Sequence, residues 1–283
     1  MRYAITLPNM DYDAQVIADL AVEAEEAGWD GAFVWDCINM RNHSAHDPWM
    51  ILAAIAARTR RIRLGTLITP LSRRRPWKVA RETVTLDHLS NGRFILPVGL
   101  GETSDGGFSN VGEEVDRKKR AQMLDESLDI ITGLWSGAPF SYNGEHYHVK
   151  DMTFLPGPVQ MPRIPIWIVG AWSRKKSMQR TLRYDGILPA KMNGDGSFAD
   201  MTPDDLRAMQ LFIDEQRTLT TPFDVVIEGE TPGDNAGQAA SIIQPLADAG
   251  MTWWLEAVWK TPESEGGAKG MSKRIRRGPP RVE

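Results

Sequence analysis

Short apolar runs alternate with amphipathic stretches of helical length along almost the whole chain, and this alternation limits the fold more than any other feature. "RYAITL" (2–7), "DGAFVWDC" (30–37), "RIRLGTLIT" (61–69) and "RFILPV" (93–98) read as strands. So do "IPIWIVG" (164–170), "DGILPA" (185–190), "PFDVVIEG" (222–229) and "MTWWLEAVW" (251–259). Helical segments lie between them, near 12–28, 48–59, 76–89, 118–135, 172–183, 203–218 and 235–249. Val16, Leu20, Ala24 and Ala27 share one helical face, as do Leu124, Leu128, Ile131 and Trp135. Pro48 and Pro76 stand at helix starts, where a missing N–H costs little. Strands alternating with helices imply βαβ units and a parallel sheet covered on both faces, and eight such units close into a (β/α)8 barrel. A Pro-, Gly- and aromatic-rich excursion at 136–165 interrupts the pattern, with a hairpin turn at Asn143-Gly144. The expected organisation is a single barrel over 1–260 containing that excursion. A polar C-terminal tail follows at 261–283, loose or packed on another subunit.

Composition narrows the function classes. Hydrophobic residues make up 42% and charged residues 25%, enough for a large core. A net charge of -4 argues against nucleic acid as a partner. The lone Cys37 excludes an internal disulfide framework and fits a reducing cytoplasm. No apolar window is long enough to span a membrane, and no basic-then-apolar leader is visible. The expectation is a soluble, cytoplasmic protein with a small-molecule substrate, and neither nucleic acid nor membrane as partner.

Active sites of such barrels form at the C-terminal ends of the strands. There the fourth strand ends in Gly99-Leu100-Gly101 and is followed by Glu102. Glycine weakens a strand, so this position needs either unusual backbone angles or a missing side chain. The pair is not a dinucleotide fingerprint, because Ser104 stands where the third glycine belongs and no helix opens at once. Asp36 ends the second strand, a poor place for a purely structural acid, and is a catalytic candidate. Glu102 is an acid/base candidate or a brace for the following loop. His43, in the loop before Asp47-Pro48 with His46, is a candidate proton carrier on the substrate side, with a solvated loop as the alternative. The Arg73-Arg74-Arg75 run is either a phosphate-neutralising group or a solvated charge run. His146 and His148 alternate without a cysteine or acid cluster beside them, so no metal site is expected.

Several stretches resemble the luciferase-like monooxygenase family, barrel enzymes that use a flavin or the deazaflavin coenzyme F420. They are "AHDPWMILAAIAARTRRIRLGT", "VARETVTLDHLSNGRFILPVGLG", "RAQMLDESLDIITGLWSGAPFSYNGEHY", "PGPVQMPRIPIWIVG" and "RYDGILP", spread over most of residues 1 to 190. The resemblance implies a TIM barrel of the bacterial luciferase-like type, a homodimer, and a ring lying over the ends of the second, third and fourth strands. Position by position it assigns Asp36, Cys37, Leu67, Ile68, Leu100 and Gly101 to the ring, with a cis peptide at Leu67-Ile68. It assigns Gly170, Ala171, Trp172 and Ser173 to the phosphate-bearing tail, where a helix N-terminus offers N–H groups. FMN and coenzyme F420 both stay open. Three features depart from the family pattern: Cys37 stands where relatives often carry histidine, Pro97 interrupts the fourth strand, and the segment between the sixth and eighth strands is short. The function implied is an oxidoreductase or monooxygenase that transfers hydride or activates oxygen for an unidentified small substrate. The alternatives are a catalytically degenerate cofactor-binding barrel and a metal-assisted hydrolase built on His43, His46 and Asp36. Aromatic side chains in 136–165 and in "TWWLEAVW" are expected at a subunit interface.

Overall fold

The computed structural model describes residues 1–40, 43–104, 106–195, 197–257 and 267–282. In chain order the first half contains β1 (Arg2–Leu7), α1 (Ala14–Glu26), β2 (Gly31–Val34), α2 (Pro48–Arg58), β3 (Arg63–Thr66), β4 (Thr69–Pro70), α3 (Pro76–Ser90), β5 (Leu96–Gly99) and α4 (Arg117–Trp135). The second half contains β6 (Phe140–Asn143), β7 (His148–Met152), β8 (Ile166–Ala171), α5 (Lys175–Thr181), β9 (Gly186–Met192), β10 (Phe198–Ala199), α6 (Pro203–Gln216), β11 (Asp224–Gly229), α7 (Ala236–Asp248), β12 (Trp253–Ala257) and α8 (Ala268–Arg276). Side-chain caps start the helices: Asp13 accepts from Gln15 N–H, Asp47 from Trp49 and Met50, and Asp116 from Lys119. Thr202 and Asp205 form a reciprocal capping box with Pro203 at the first helical position.

The parallel strands run in the order β3-β2-β1-β12-β11-β9-β8-β5-β4. β3 and β4 are two halves of one barrel strand, broken at the cis peptide Leu67-Ile68. A parallel bridge between Leu64 and Phe94 joins β3 to the approach of β5 and completes the ring. The eight-unit expectation therefore holds, with the third strand in two pieces. Pro97 explains where the break falls. Successive N–H groups on this strand turn alternately to either neighbour: Ile95 donates to Leu64 O at 2.9 Å and Leu96 to Pro165 O at 2.9 Å. The next donor toward the third strand would come from Pro97, which has none, and the ladder resumes only at Thr69 opposite Val98.

Alternation sorts strand residues into two cores. Inside the barrel, Phe33 and Trp167 stack at 5.5 Å and Trp167 meets Trp253 edge-on at 5.2 Å, joined by Ala4, Ile95, Leu188, Val226 and Leu255. Their strand neighbours, such as Ile5, Val34, Ile168, Ile187 and Trp254, face outward into the larger core under the helices. Trp253 and Trp254 are thus core residues, and Tyr147 and Phe154 in the excursion are buried too, which corrects the interface expected from these aromatics. The excursion does contain the antiparallel hairpin β6–β7.

Other differences concern the second half. α5 starts at Lys175 rather than 172, after a turn with Ser173 at φ 62°. The loop after β9 returns as β10, antiparallel to β9. The basic segment expected to be loose or bound to another subunit contains α8, which packs on α1 of the same chain; residues 258–266 and 283 lie outside the described residues. Met271 and Ile275, one turn apart, are fully buried, and Trp29 donates its indole N–H to Ile275 O at 3.0 Å. Ile275→Ala is expected to lower the unfolding free energy by about 2–5 kcal/mol in urea titration. A change of less than about 0.5 kcal/mol would mean that α8 adds nothing to stability.

Candidate active site

Parity also decides which strand-end residues face the C-terminal mouth. Thr6 on β1 follows the inward Ala4, Val169 on β8 follows Trp167, and Glu228 on β11 follows Val226. Leu67, Ile68 and Val169 pack on the inner cluster yet stay partly exposed, so they form an apolar floor that solvent reaches. Gly99 is glycine because of this floor. A Cβ there would collide with Ile68 Cδ1 and stand 3.0 Å from Val169 Cγ2. Gly101 answers a different need, with φ 75° in the left-handed region and Pro70 Cβ only 2.7 Å from any added Cβ. The expected cis peptide Leu67-Ile68 lies in this floor.

Asp36 does not. It continues the outward parity of Ala32 and Val34, and its side chain is 0% exposed. Oδ1 accepts from Arg74 Nη2 at 2.9 Å and Arg73 Nη2 at 3.2 Å, and Oδ2 from Trp49 Nε1 at 3.1 Å. Arg73 Nη2 also donates to Asp36 O at 2.5 Å. With its side chain fully buried and three donors on its two oxygens, Asp36 as placed braces the two arginines. Arg73 and Arg120 guanidinium groups each lie 5.2 Å from the Phe108 ring centre, and Arg120 Nη1 donates to Leu100 O at 2.7 Å and Gly101 O at 3.1 Å. The arginine run and the loop after β5 are locked together on the rim.

The remaining candidates take varied positions. Glu102 Oε1 accepts from the N–H groups of Thr103 at 2.7 Å and Ser104 at 3.0 Å, the loop-bracing alternative. His43 Nδ1 meets Asp11 Oδ2 at 2.5 Å on the exposed rim, and this bond holds the Asp11 carboxyl below its usual range. It ties the loops after β1 and β2. Cys37 is buried, with Asn9 Nδ2 3.7 Å from its sulfur. Leu100 faces the outer core. Gly170 also faces outward, where a Cβ would lie 2.6 Å from Ile187 Cδ1 and 3.0 Å from Thr181 Cγ2, so a glycine there permits close strand–helix packing. The N–H groups of Ala171 and Trp172 are already committed, to Ser177 Oγ at 2.9 Å and Ala190 O at 2.8 Å. The Trp172 indole donates to Asp205 Oδ1 at 3.2 Å, on α6. Burial would raise the Asp205 carboxyl, but hydrogen bonds from Lys191 and Thr202 bring it down to about 2. Ser173 stays exposed at the start of α5.

One residue in the mouth was not singled out from the sequence. Glu228 falls on the inward parity at the end of β11 and is exposed; the surrounding protein shifts its carboxyl upward, an effect that its exposure limits. Its strand, "DVVIEG", carries an acid at the end as openly as the second strand does; counting by twos from the apolar Val226 would have found it. Among the described residues no group of three His, Cys, Asp or Glu side chains could hold a metal ion, and no helix is long and apolar enough to cross a membrane.

Asp36→Asn is expected to destabilise the fold by about 3–5 kcal/mol, because it leaves the buried Arg73 and half-buried Arg74 guanidinium groups without their counter-charge. Denaturant unfolding measures this. Unchanged stability with lost turnover would return Asp36 to the chemistry.

Comparisons with known proteins bear on the family and the fold. The family model described as luciferase-like monooxygenase matches residues 4–228. An F420-dependent glucose-6-phosphate dehydrogenase of Amycolatopsis mediterranei is 34% identical over 156 residues, 54% of this chain and 46% of that protein. One of Nakamurella multipartita is 35% identical over 174 residues, 59% of this chain and 50% of that protein. The chain thus spans about half the length of these curated relatives. Among solved structures, an F420-dependent secondary alcohol dehydrogenase in complex with an F420-acetone adduct superposes with a TM-score of 0.76 over 98% of both chains at 16% identity. The FMN-bound oxygenating constituent of 3,6-diketocamphane monooxygenase from Pseudomonas putida gives 0.65 over 97% of this chain and 77% of its own, at 17% identity. With its family model matched over residues 4–228 and its barrel shared with these enzymes, the chain belongs to the luciferase-like monooxygenase family.

Proposed function

We propose that the protein is a flavin- or deazaflavin-dependent oxidoreductase that acts on a small organic substrate at the C-terminal mouth. The observation that carries this reading is the solvent-reaching apolar floor of Leu67, Ile68 and Val169 over Gly99, in a member of a family of ring-cofactor enzymes. A flat ring suits these residues: no side chain at Gly99 lifts it off the floor, and the inward Thr6 hydroxyl has no hydrogen-bond partner among the described residues. The relatives named for F420 put the deazaflavin first, and FMN stays second.

A bound deazaflavin supplies two-electron hydride transfer, and a bound flavin supplies oxygen activation as well. The chain's own residues set position and surroundings. Leu67, Ile68 and Val169 give the apolar contact, and the Asp36–Arg73–Arg74 brace holds the rim beside them. Arg174, Lys175 and Lys176, exposed at the start of α5, offer positive charge to a phosphate-bearing tail. A second copy of the chain is the expected partner, supported by exposed Leu155, Val159 and Met161 on the excursion, and the single cysteine supports a cytoplasmic setting.

Titration of the purified protein with F420 and with FMN, followed by absorbance, tests the reading. Saturable binding of one is expected, and binding of neither overturns it. Gly99→Val is expected to weaken that binding by roughly tenfold or more, the equivalent of the 1–3 kcal/mol that overpacking costs, with an unchanged circular dichroism spectrum.

A further inference from the structure

We propose that the groove between α5 and α6 is a binding site, separate from the barrel mouth, for an aliphatic monocarboxylate. The groove exists because α5 is short and is tied to its other neighbour. Its seven residues span roughly 10 Å, half the reach of the fourteen-residue α6. Ion pairs hold it to α4: Arg180 Nη2 donates to Asp125 Oδ2 at 2.8 Å, and Arg183 Nη2 to Asp129 Oδ1 at 2.6 Å. Toward α6 the links lie at the two ends. Near the mouth the Trp172 indole donates to Asp205 Oδ1 at 3.2 Å, and at the far end Arg217 Nη2 donates to Tyr184 O at 3.3 Å. Two cavities of 280 and 420 Å³ adjoin between α5 and α6, with Gln179 of α5 and Gln216 of α6 lining both. Buried Met178 and Leu182 line them on the α5 side, and Trp172, Phe212 and Leu219 add further apolar surface.

The charge along this groove has one sign. Lys175 lines the cavity nearer the mouth and Arg183 the other, and among the described residues no acid lines either. Arg183 is already paired with Asp129, whereas Lys175 has no ion-pair partner among the described residues. Arg174 and Lys176 flank Lys175 in the chain but do not line the groove. The nearest acids are engaged or outside it: Asp205 accepts from Lys191 at 2.6 Å and Asp214 from Gln210 Nε2 at 2.7 Å, and Glu215 is exposed without lining either cavity. Apolar walls with one unpaired ammonium at an end suit an apolar body that carries a single anionic group. A phosphate is better served by a guanidinium fork, and the one fork in the groove is committed to Asp129. The ligand class is therefore a carboxylic acid with an aliphatic chain, its carboxylate at Lys175 and its chain along Met178, Phe212 and Leu182.

Isothermal titration calorimetry of the full chain, with octanoate, decanoate and decyltrimethylammonium below their micelle thresholds, tests this. Saturable binding of decanoate at one site is expected. Octanoate should bind about threefold or more weakly, because each methylene taken out of water adds favourable transfer free energy. The cation, with the same chain, should bind about tenfold or more weakly than decanoate. Lys175→Glu should weaken decanoate binding about fivefold or more. Gln179→Trp, at an exposed helix position, should fill the groove and abolish binding with an unchanged Tm. Gln216→Trp does the same from the opposite wall and serves where the first variant fails to fold. Full binding in both tryptophan variants would place the acid elsewhere, the mouth included, and overturns the proposal. So does the absence of saturable decanoate binding, binding of the cation as tight as that of decanoate, or displacement of decanoate by F420 or FMN. A second copy seated on the groove overturns it too, and shows itself as an oligomeric state altered by Gln179→Trp together with no decanoate binding. The proposal does not rest on the oxidoreductase reading, and none of these outcomes removes that reading.

Discussion

A closed parallel barrel gives each strand residue one of two addresses, inside the ring or under the helices, and the two alternate without exception along a regular strand. Nearly everything else in this protein depends on that constraint. Toward the N-terminal end the inward positions hold Phe33, Trp167 and Trp253, which fill the ring and exclude water. Toward the C-terminal end several inward positions are small, at Gly99, Ala171, Ala190 and Ala257, beside Thr6, Val169 and Glu228. The floor of the mouth is the upper surface of the aromatic plug, extended by Leu67, Ile68 and Val169.

The outward addresses at the same level do a different job. The third barrel strand loses its ladder where Pro97 has no N–H to give, so the segment that follows it needs support from elsewhere. That support is electrostatic. Arg73 and Arg74 converge on Asp36, Arg74 lies 5.1 Å from the Trp49 ring centre, and Phe108 sits between Arg73 and Arg120. Three buried or half-buried guanidinium groups are costly to bring out of water, and a single carboxylate with two aromatic faces and three carbonyl oxygens offsets that cost only while all of them are in place. The arrangement fixes a rim.

Alternation along the sequence carried the fold, because strand and helix periods differ enough to be read without coordinates. Orientation at strand ends was harder, since the residues there sit where the regular pattern stops. The place of Asp36 in the chain suggests a mouth residue, while the parity of Ala32 and Val34 turns it outward. Gly170 shares the outward parity of Ile168, which the resemblance alone does not reveal. Glu228 was overlooked because no motif surrounds it. α8 was hidden for another reason: its apolar contact consists of Met271 and Ile275 within a basic stretch, too few to register as a periodic face.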